Sequence, residues 1–282
     1  MLYSVVINLQ AEGDPAHGAV SGHHILGFFL NLIRRADTAL AEELHRDTAV
    51  KPFTLSHFLP FSGRSPRTAG KGPLSFRITM LDERVFTALA DAVWRLPPDD
   101  ELPLGNLRVR CHSLETIPAQ SVWANFTTLN QLLENAAAGA KVRLSFLSAT
   151  TFRSGGRRNV LFPEPALVFG SLLNRWNAIA AADCKLDLPE QLLSKVRISN
   201  YRLSTRLMDF GSYEELGFSG QVTYDCDIGI PVEQVKTLNA LADFAFYAGI
   251  GAKTTMGMGQ CRRSDYARAL PYRTGSDPEK RR

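Results

Sequence analysis

Apolar residues in the first half of the chain recur with two periods, one typical of strands and one typical of helices. They predict elements in the order strand, helix, strand, strand, helix, strand. Ser21 is a suitable N-cap for the first helix, a short helical stretch follows over 38–44, and Asp82 is a suitable N-cap for the second helix. This β-α-β-β-α-β order is that of a ferredoxin-like domain. The predicted strands cover 2–9, 51–56, 74–81 and 104–114.

The second half of the chain repeats the same order. A helix is predicted over 163–182, and Pro231 opens another in the favoured first position. Charged residues change face along the strand pattern from 195 to 207, which predicts a bulge near Asn200. The repeat strengthens the prediction of this fold, because two independent errors would have to give the same order of elements. The remaining predicted strands cover 141–150, 218–228 and 256–263.

We therefore predict an α+β protein of two tandem ferredoxin-like (RRM-like) domains. The first domain covers 1–117, a linker region covers 118–140, and the second domain covers 141–273. Residues 274–282 include no apolar side chain, so we expect a disordered tail there.

Composition narrows the class of protein. The chain has 282 residues, of which 45% are hydrophobic and 21% are charged, as in an ordinary globular protein. No apolar run is long enough for a membrane-spanning helix, and the N-terminus does not resemble a secretory signal, so we expect a cytoplasmic protein. The four cysteines show no metal-ligand spacing, and we expect reduced thiols and no metal or other cofactor.

Basic residues favour a polyanionic partner without proving one. The net charge is +4, and the arginines and lysines gather in several clusters. One cluster, from Arg153 to Arg158, has two glycines between its arginines, a composition typical of a flexible basic finger.

A glycine-rich loop (Gly249–Gly259) lies between the last predicted helix and the last predicted strand. It is not a Walker A loop, because Ala252 stands where glycine must precede the lysine. It is not a dinucleotide fingerprint, because Thr254 takes the third glycine position and the loop runs from helix to strand. Two interpretations remain: a loop that binds a nucleic-acid backbone, with Lys253 at a phosphate, or an ordinary turn.

Two motifs resemble those of the CRISPR-associated endoribonucleases that cut precursor CRISPR RNA within its repeats. The first is the GhGxK…xGhG loop, with h apolar, here Gly249 to Gly259. The second is Leu44-His45 at the end of a short helix, followed by Lys51 and then Phe-Thr-x-Ser over 53–56. The resemblance extends over nearly the whole chain and implies the same two-domain fold.

The resemblance implies a metal-independent cut in which the 2′-OH attacks the adjacent phosphorus. It assigns His45 to acid or base chemistry and Lys51 to the charge on the phosphorane, and the products are a 2′,3′-cyclic phosphate and a 5′-OH. Some members carry a tyrosine where this chain has Leu30. The polar face of the first helix offers His24 as a third catalytic candidate, with His23 just before it.

The resemblance also indicates the partners. We expect CRISPR repeat RNA and no membrane, and further candidate partners are subunits of a CRISPR effector complex and a second copy of the chain. The alternative function is a non-cleaving RNA-binding subunit of such a complex. The expected RNA-binding residues are Gly249, Gly251, Lys253, Gly257, Gly259, Arg153, Arg157 and Arg158.

Overall fold

The computed structural model describes residues 1–12, 20–46, 48, 50–59, 73–154 and 158–264. The predicted tail over 274–282 lies outside the described residues, as does Arg157. Within the described residues, no helix is both long enough and apolar enough to span a bilayer.

The first half of the chain forms an antiparallel sheet in the order β2-β3-β1-β5-β4, the strand order of a ferredoxin-like fold with an added edge strand. The prediction of a single strand over 104–114 is wrong, since residues 102–104 and 107–109 pair there as a hairpin. Gly105, with φ of 60°, lies in the turn between them and lets the chain reverse. The elements are β1 (Leu2–Glu12), α1 (Gly22–Ala36), α2 (Thr38–His45), β2 (Phe53–Phe58), β3 (Pro73–Met80), α3 (Glu83–Trp94), β4 (Leu102–Leu104) and β5 (Leu107–Glu115).

The segment predicted as a linker carries one strand and one helix. Strand β6 (Asn125–Thr127) pairs with the start of β1 in the first sheet. Helix α4 (Leu129–Glu134) begins at Thr128, whose hydroxyl accepts a hydrogen bond from the Gln131 amide, 3.1 Å away. The partly buried leucines of α4 pack against the core of the second half.

The second half forms a sheet in the order β10-β11-β7-β12, again the ferredoxin-like order, so the predicted fold class is confirmed. The last strand begins at Cys261 rather than at residue 256, because a 3-10 turn occupies Thr254–Met256. Pro231 lies at the N-cap, one position before the predicted one. The elements are β7 (Lys141–Thr150), β8 (Phe152–Ser154), β9 (Arg158–Val160), α5 (Pro165–Ile179), α6 (Glu190–Leu193), β10 (Val196–Asp209), β11 (Glu214–Cys226), α7 (Val232–Ala248) and β12 (Cys261–Arg263).

Each sheet buries one face under its helices. In the second sheet, Phe218, Val222 and Tyr224 alternate along β11 and are at most 1% exposed, where they pack against Trp176 and other residues of α5 and α7. The predicted bulge is present, because the register between β10 and β11 shifts between Ile198 and Asn200.

A buried polar network joins the two halves. The Arg77 guanidinium, 1% exposed, donates to Ser4 Oγ at 2.7 Å and to Gln260 Oε1 at 3.1 Å. The Gln260 amide donates in turn to Thr54 Oγ1, 3.2 Å away on β2. Burial lowers the pKa of Arg77 to about 9. These bonds hold the end of the glycine-rich loop against β2.

Candidate functional site

His45 is the last residue of α2 and its side chain is exposed. Asp37 caps the N-terminus of this helix, because its carboxylate accepts a hydrogen bond from the Leu40 amide at 2.9 Å. Lys51 folds back onto the other end, where its Nζ donates to the carbonyl oxygen of Leu44 at 2.9 Å and also to that of Arg46. Lys51 therefore caps the carbonyls on both sides of His45.

A cleft of about 490 Å³ lies beside this helix end. Leu44 and Lys51 line one wall, and Ala178 and Ile179 at the end of α5 line the other, so both halves of the molecule contribute to it. The remaining lining residues are Glu43, Thr48, Val50, Pro52, Leu81, Asp82 and Glu83.

Two of the three acidic side chains of the cleft are partly neutralised by Arg84. Its Nη2 lies 2.9 Å from the Glu43 carboxylate and 2.8 Å from that of Asp82. Partial burial acts to raise the pKa of Asp82, but the hydrogen bonds from Arg84 outweigh it and hold that pKa below its usual value. The negative charge that would repel a phosphate at this cleft is thereby reduced.

His23 and His24 lie at the start of α1, next to the glycine-rich loop. The Nδ1 of His24 accepts a hydrogen bond from the Ser21 amide at 3.1 Å, so this ring caps its own helix. The Nε2 of His23 lies 3.5 Å from the Tyr213 hydroxyl. A Cβ on Gly22 would collide with the carbonyl oxygen of Met256, which shows how closely α1 approaches the loop. The described contacts do not join either histidine to His45.

The glycine-rich loop is a tightly folded turn. Its four glycines and Lys253 all have positive φ, from 55° to 96°. A Cβ on Gly251 would meet the carbonyl oxygen of Thr151, and one on Gly259 would meet that of Ile250. Any residue with a side chain at Gly251 or Gly259 would therefore disrupt the turn.

Most amides of this loop are already bonded to backbone carbonyls. The Ala252 amide donates to Thr151, the Gly257 amide to Leu55 on β2, and the Gly259 amide to Ala149, at 2.9 to 3.1 Å. An open cradle of amides for an anion is therefore not the form that the loop takes here.

Lys253 is held by the hairpin of β10 and β11. Its ammonium forms an ion pair with Glu215, and the side chains of Lys253 and Glu215 are only 11% and 10% exposed. The same ammonium lies 4.0 Å from the ring centre of Tyr213 and 4.8 Å from that of Phe210. Burial acts to raise the pKa of Glu215, but Lys253 and Asn159 outweigh it and lower that pKa.

Arginines of the predicted basic finger lie on a short hairpin. Arg153 is exposed on β8, and Arg158 lies on β9 with its side chain outside the described residues. The positive charge of Arg153 also helps to lower the pKa of Glu215. The finger thus approaches the hairpin that holds Lys253.

Sequence reasoning missed the residues that hold Lys253. Glu215, Phe210 and Tyr213 are about 40 positions away in the chain, and no local spacing connects them to the loop. Within the described residues, no group of three or more His, Cys, Asp or Glu side chains is placed to hold a metal ion. None of the four cysteines is in a disulfide, and Cys226 and Cys261 are buried while Cys111 and Cys184 are partly exposed.

Comparisons with known families give two matches that together span both halves of the chain. Residues 1–134 match the model of the CRISPR Cas6 N-terminal domain. Residues 144–261 match the model of the CRISPR-associated endoribonuclease Cas6.

Curated relatives carry the same description. The CRISPR-associated endoribonuclease Cas6 of Mycobacterium tuberculosis (strain CDC 1551 / Oshkosh) is 32% identical over 127 residues, which are 43% of this chain and 38% of the relative. The protein of that description from Streptococcus thermophilus is 32% identical over 120 residues, 40% of this chain and 46% of the relative. The matched part therefore spans less than half of either relative.

Solved structures match over almost the whole fold. The Cas6 of Thermus thermophilus is 27% identical with a TM-score of 0.71, covering 93% of this chain and 98% of that one. The product complex of the same Cas6 is 29% identical with a TM-score of 0.79, covering 93% and 100%. A Cas6 substrate mimic complex is 28% identical with a TM-score of 0.68, covering 93% and 98%.

Proposed function

The chain belongs to the Cas6 family of CRISPR-associated endoribonucleases, and from this premise we propose that it cuts precursor CRISPR RNA within the repeats by attack of a ribose 2′-OH. The observation that carries the proposal is the contact of Lys51 with the end of helix α2. This helix end presents an exposed imidazole at His45 and holds an ammonium on the carbonyl oxygen of the residue before it, 2.9 Å away. Lys51 and Leu44, the residue before His45, border the interdomain cleft.

Cleavage of this kind needs a base for the 2′-OH, a proton for the departing 5′-oxygen, and positive charge near the phosphorane oxygens. Histidine suits either proton transfer because its ordinary pKa lies near neutrality. Lys51 supplies the charge, and its bonds to Leu44 and Arg46 hold the ammonium on the same helix end as His45. The oxygen of the 2′-OH bonds to phosphorus, the bond to the 5′-oxygen breaks, and the ends are a 2′,3′-cyclic phosphate and a 5′-OH.

We assign no proton transfer to His24, because its ring accepts the Ser21 amide and caps α1 beside the glycine-rich loop. We assign His23 and His24 instead to the surface over which the RNA reaches the loop. The exposed Arg153 borders the same surface and is the proposed phosphate contact of the basic finger.

The test is cleavage of a repeat RNA in EDTA, compared with the same RNA carrying one 2′-deoxy nucleotide on the 5′ side of the scissile phosphate. We expect a discrete cut of the first RNA and none of the second, with nearly equal affinities. The deoxy RNA should then act as a competitive inhibitor. Cleavage of the deoxy RNA would overturn the 2′-OH mechanism. So would a failure of the all-ribose RNA to be cut in EDTA. Binding without a cut in either buffer would favour a non-cleaving RNA-binding subunit.

A further inference from the structure

The second sheet has a polar face on the side away from α5 and α7. Residues of β11 alternate between the two faces, so that Phe218, Val222 and Tyr224 enter the core while their neighbours point outward. The register pairs Thr223 with Arg143 and with Asn200. The outward residues of the three adjoining strands are Arg143 and Ser145 on β7, Ser219, Gln221 and Thr223 on β11, and Asn200, Arg202, Ser204 and Arg206 on β10.

Two arginines of this face are held in fixed directions by the neighbouring strand. The Nε of Arg206 donates to Ser219 Oγ at 2.7 Å, and the Nε of Arg143 donates to Thr223 Oγ1 at 3.2 Å. Ser219 and Thr223 are 4% and 8% exposed. Each guanidinium therefore uses Nε for its anchor, which leaves both Nη groups for a further partner.

The face carries an excess of positive charge. Within the described residues, Arg143, Arg202 and Arg206 have no carboxylate in ion-pair contact. Two carboxylates at the Arg143 end of the sheet have cations of their own, since Asp225 lies 3.8 Å from Lys141 and Asp227 lies 2.6 Å from Arg197. Pre-oriented guanidinium groups without acids are suited to an anionic partner with several charges in a row.

The arginines lie in a line that leads to the glycine-rich loop. From the row of Arg143 to that of Arg206 there are three steps of two residues, or about 20 Å. Two residues beyond Arg206, the terminal methyl of Met208 would lie 3.4 Å from a Cβ on Gly257. An extended polyanion that follows this line of arginines therefore reaches the glycine-rich loop.

We propose that this face, defined by Arg143, Arg202 and Arg206, is a phosphate-binding track for a single strand of RNA that continues to the glycine-rich loop. The inference rests on the proposed function for its partner, and it assigns the track a role in binding and not in the chemical step. Removal of all three charges should weaken RNA binding without changing the rate at which bound RNA is cut.

The test measures the affinity of R143Q/R202Q/R206Q for uncleavable 2′-deoxy-blocked repeat RNA at several salt concentrations. Release of about 0.7 counterions per phosphate predicts that the slope of log K against log salt falls by about two units. A control that removes three exposed charges elsewhere, R34Q/R108Q/K185Q, should leave the slope as in the wild type. A slope for the triple variant equal to that of the control would overturn the proposal.

A second variant tests the fixed direction of the guanidinium groups. Ser219→Ala removes the acceptor of Arg206 Nε and keeps every charge. We expect the affinity to fall about threefold with an unchanged salt slope, because only pre-orientation is lost. Wild-type affinity in this variant would refute the role given to Ser219. Binding and cutting are measured separately, so a wild-type protein that binds without cutting would refute the proposed function and leave the track standing.

Discussion

The ammonium of Lys51 donates to the carbonyl oxygen of Leu44, 2.9 Å away, and so fixes the peptide that leads into His45. A lysine at a helix C-terminus stabilises carbonyl groups that have no partner within the helix. Here the same lysine also holds positive charge at the helix end that carries His45. The stability of α2 and the geometry of the proposed catalytic pair therefore depend on one side chain.

His45→Ala should reduce the single-turnover cleavage rate by about 10²- to 10⁴-fold, the usual contribution of a general acid or base. The affinity for repeat RNA should stay within a few-fold of the wild type, because the side chain is exposed and the helix ends at this residue. His112→Ala is the matched control, since His112 is an exposed histidine on β5 of the same half. Equal rates for the two variants would remove His45 from the mechanism.

Lys51→Met should affect both stability and rate. Loss of the bonds to Leu44 and Arg46 should lower the free energy of unfolding by about 1 kcal/mol, as measured by urea denaturation. Loss of the charge should lower the cleavage rate by at least about 10²-fold at saturating RNA. A variant that is destabilised yet cuts at the wild-type rate would show that Lys51 is only a helix cap.

Alternating burial made the fold predictable from the sequence. The buried residues Phe218, Val222 and Tyr224 alternate, and the change of face near Asn200 appears in the structure as a shift of register. The error at the last strand has a physical cause. Met256 and Met258 alternate with glycines and imitate a strand period, but the backbone at Gly257 and Gly259 has positive φ and follows a 3-10 turn, so the chain turns there and the strand begins only at Cys261.

The candidate site was less predictable because its contacts join distant parts of the chain. The resemblance placed His45 and Lys51 at a helix end, and the spacing of seven residues is enough for Lys51 to reach Leu44. The spacing within the loop gave no sign that Glu215 holds Lys253. Nor could it show that the loop amides bond to Leu55 and Thr151, since Leu55 belongs to the other half of the molecule and Thr151 is about 100 positions away in the chain.

His57 should make the folding stability depend on pH. Its Nε2 lies 2.9 Å from the carbonyl oxygen of Val20, and burial lowers its pKa despite that bond. The unfolded chain therefore binds a proton at a higher pH than the folded chain does. Stability should fall as the pH is lowered from about 6.5 towards the folded pKa.

The measurement is the difference in unfolding free energy between pH 7.5 and pH 5 for the wild type and for His57→Gln. The glutamine amide can donate to Val20 but does not titrate, so the difference should be smaller in the variant. Equal differences in the two proteins would mean that His57 does not contribute.

The ion pair of Lys253 and Glu215 should be strongly coupled because both side chains are nearly buried. Lys253→Met leaves the Glu215 carboxylate without its cation and should lower the free energy of unfolding by about 3 kcal/mol. Glu215→Gln leaves the Lys253 ammonium without its anion and should have an effect of about the same size. The double variant should cost about 2 kcal/mol less than the sum of the two. The exposed pair of Lys236 and Glu233 on α7 is the control, with an expected coupling below about 0.5 kcal/mol.

The same variants decide what Lys253 does when RNA binds. Glu215 already neutralises the ammonium of Lys253. Loss of that ammonium in Lys253→Met should therefore change the slope of log K against log salt by less than about half a unit. Affinity should still fall, because Lys253 holds the hairpin of β10 and β11 through Phe210 and Tyr213. A slope lower by about one unit would mean that the ammonium leaves Glu215 for a phosphate. In that case Glu215→Gln should bind RNA more tightly than the wild type, since the phosphate would no longer compete with a carboxylate.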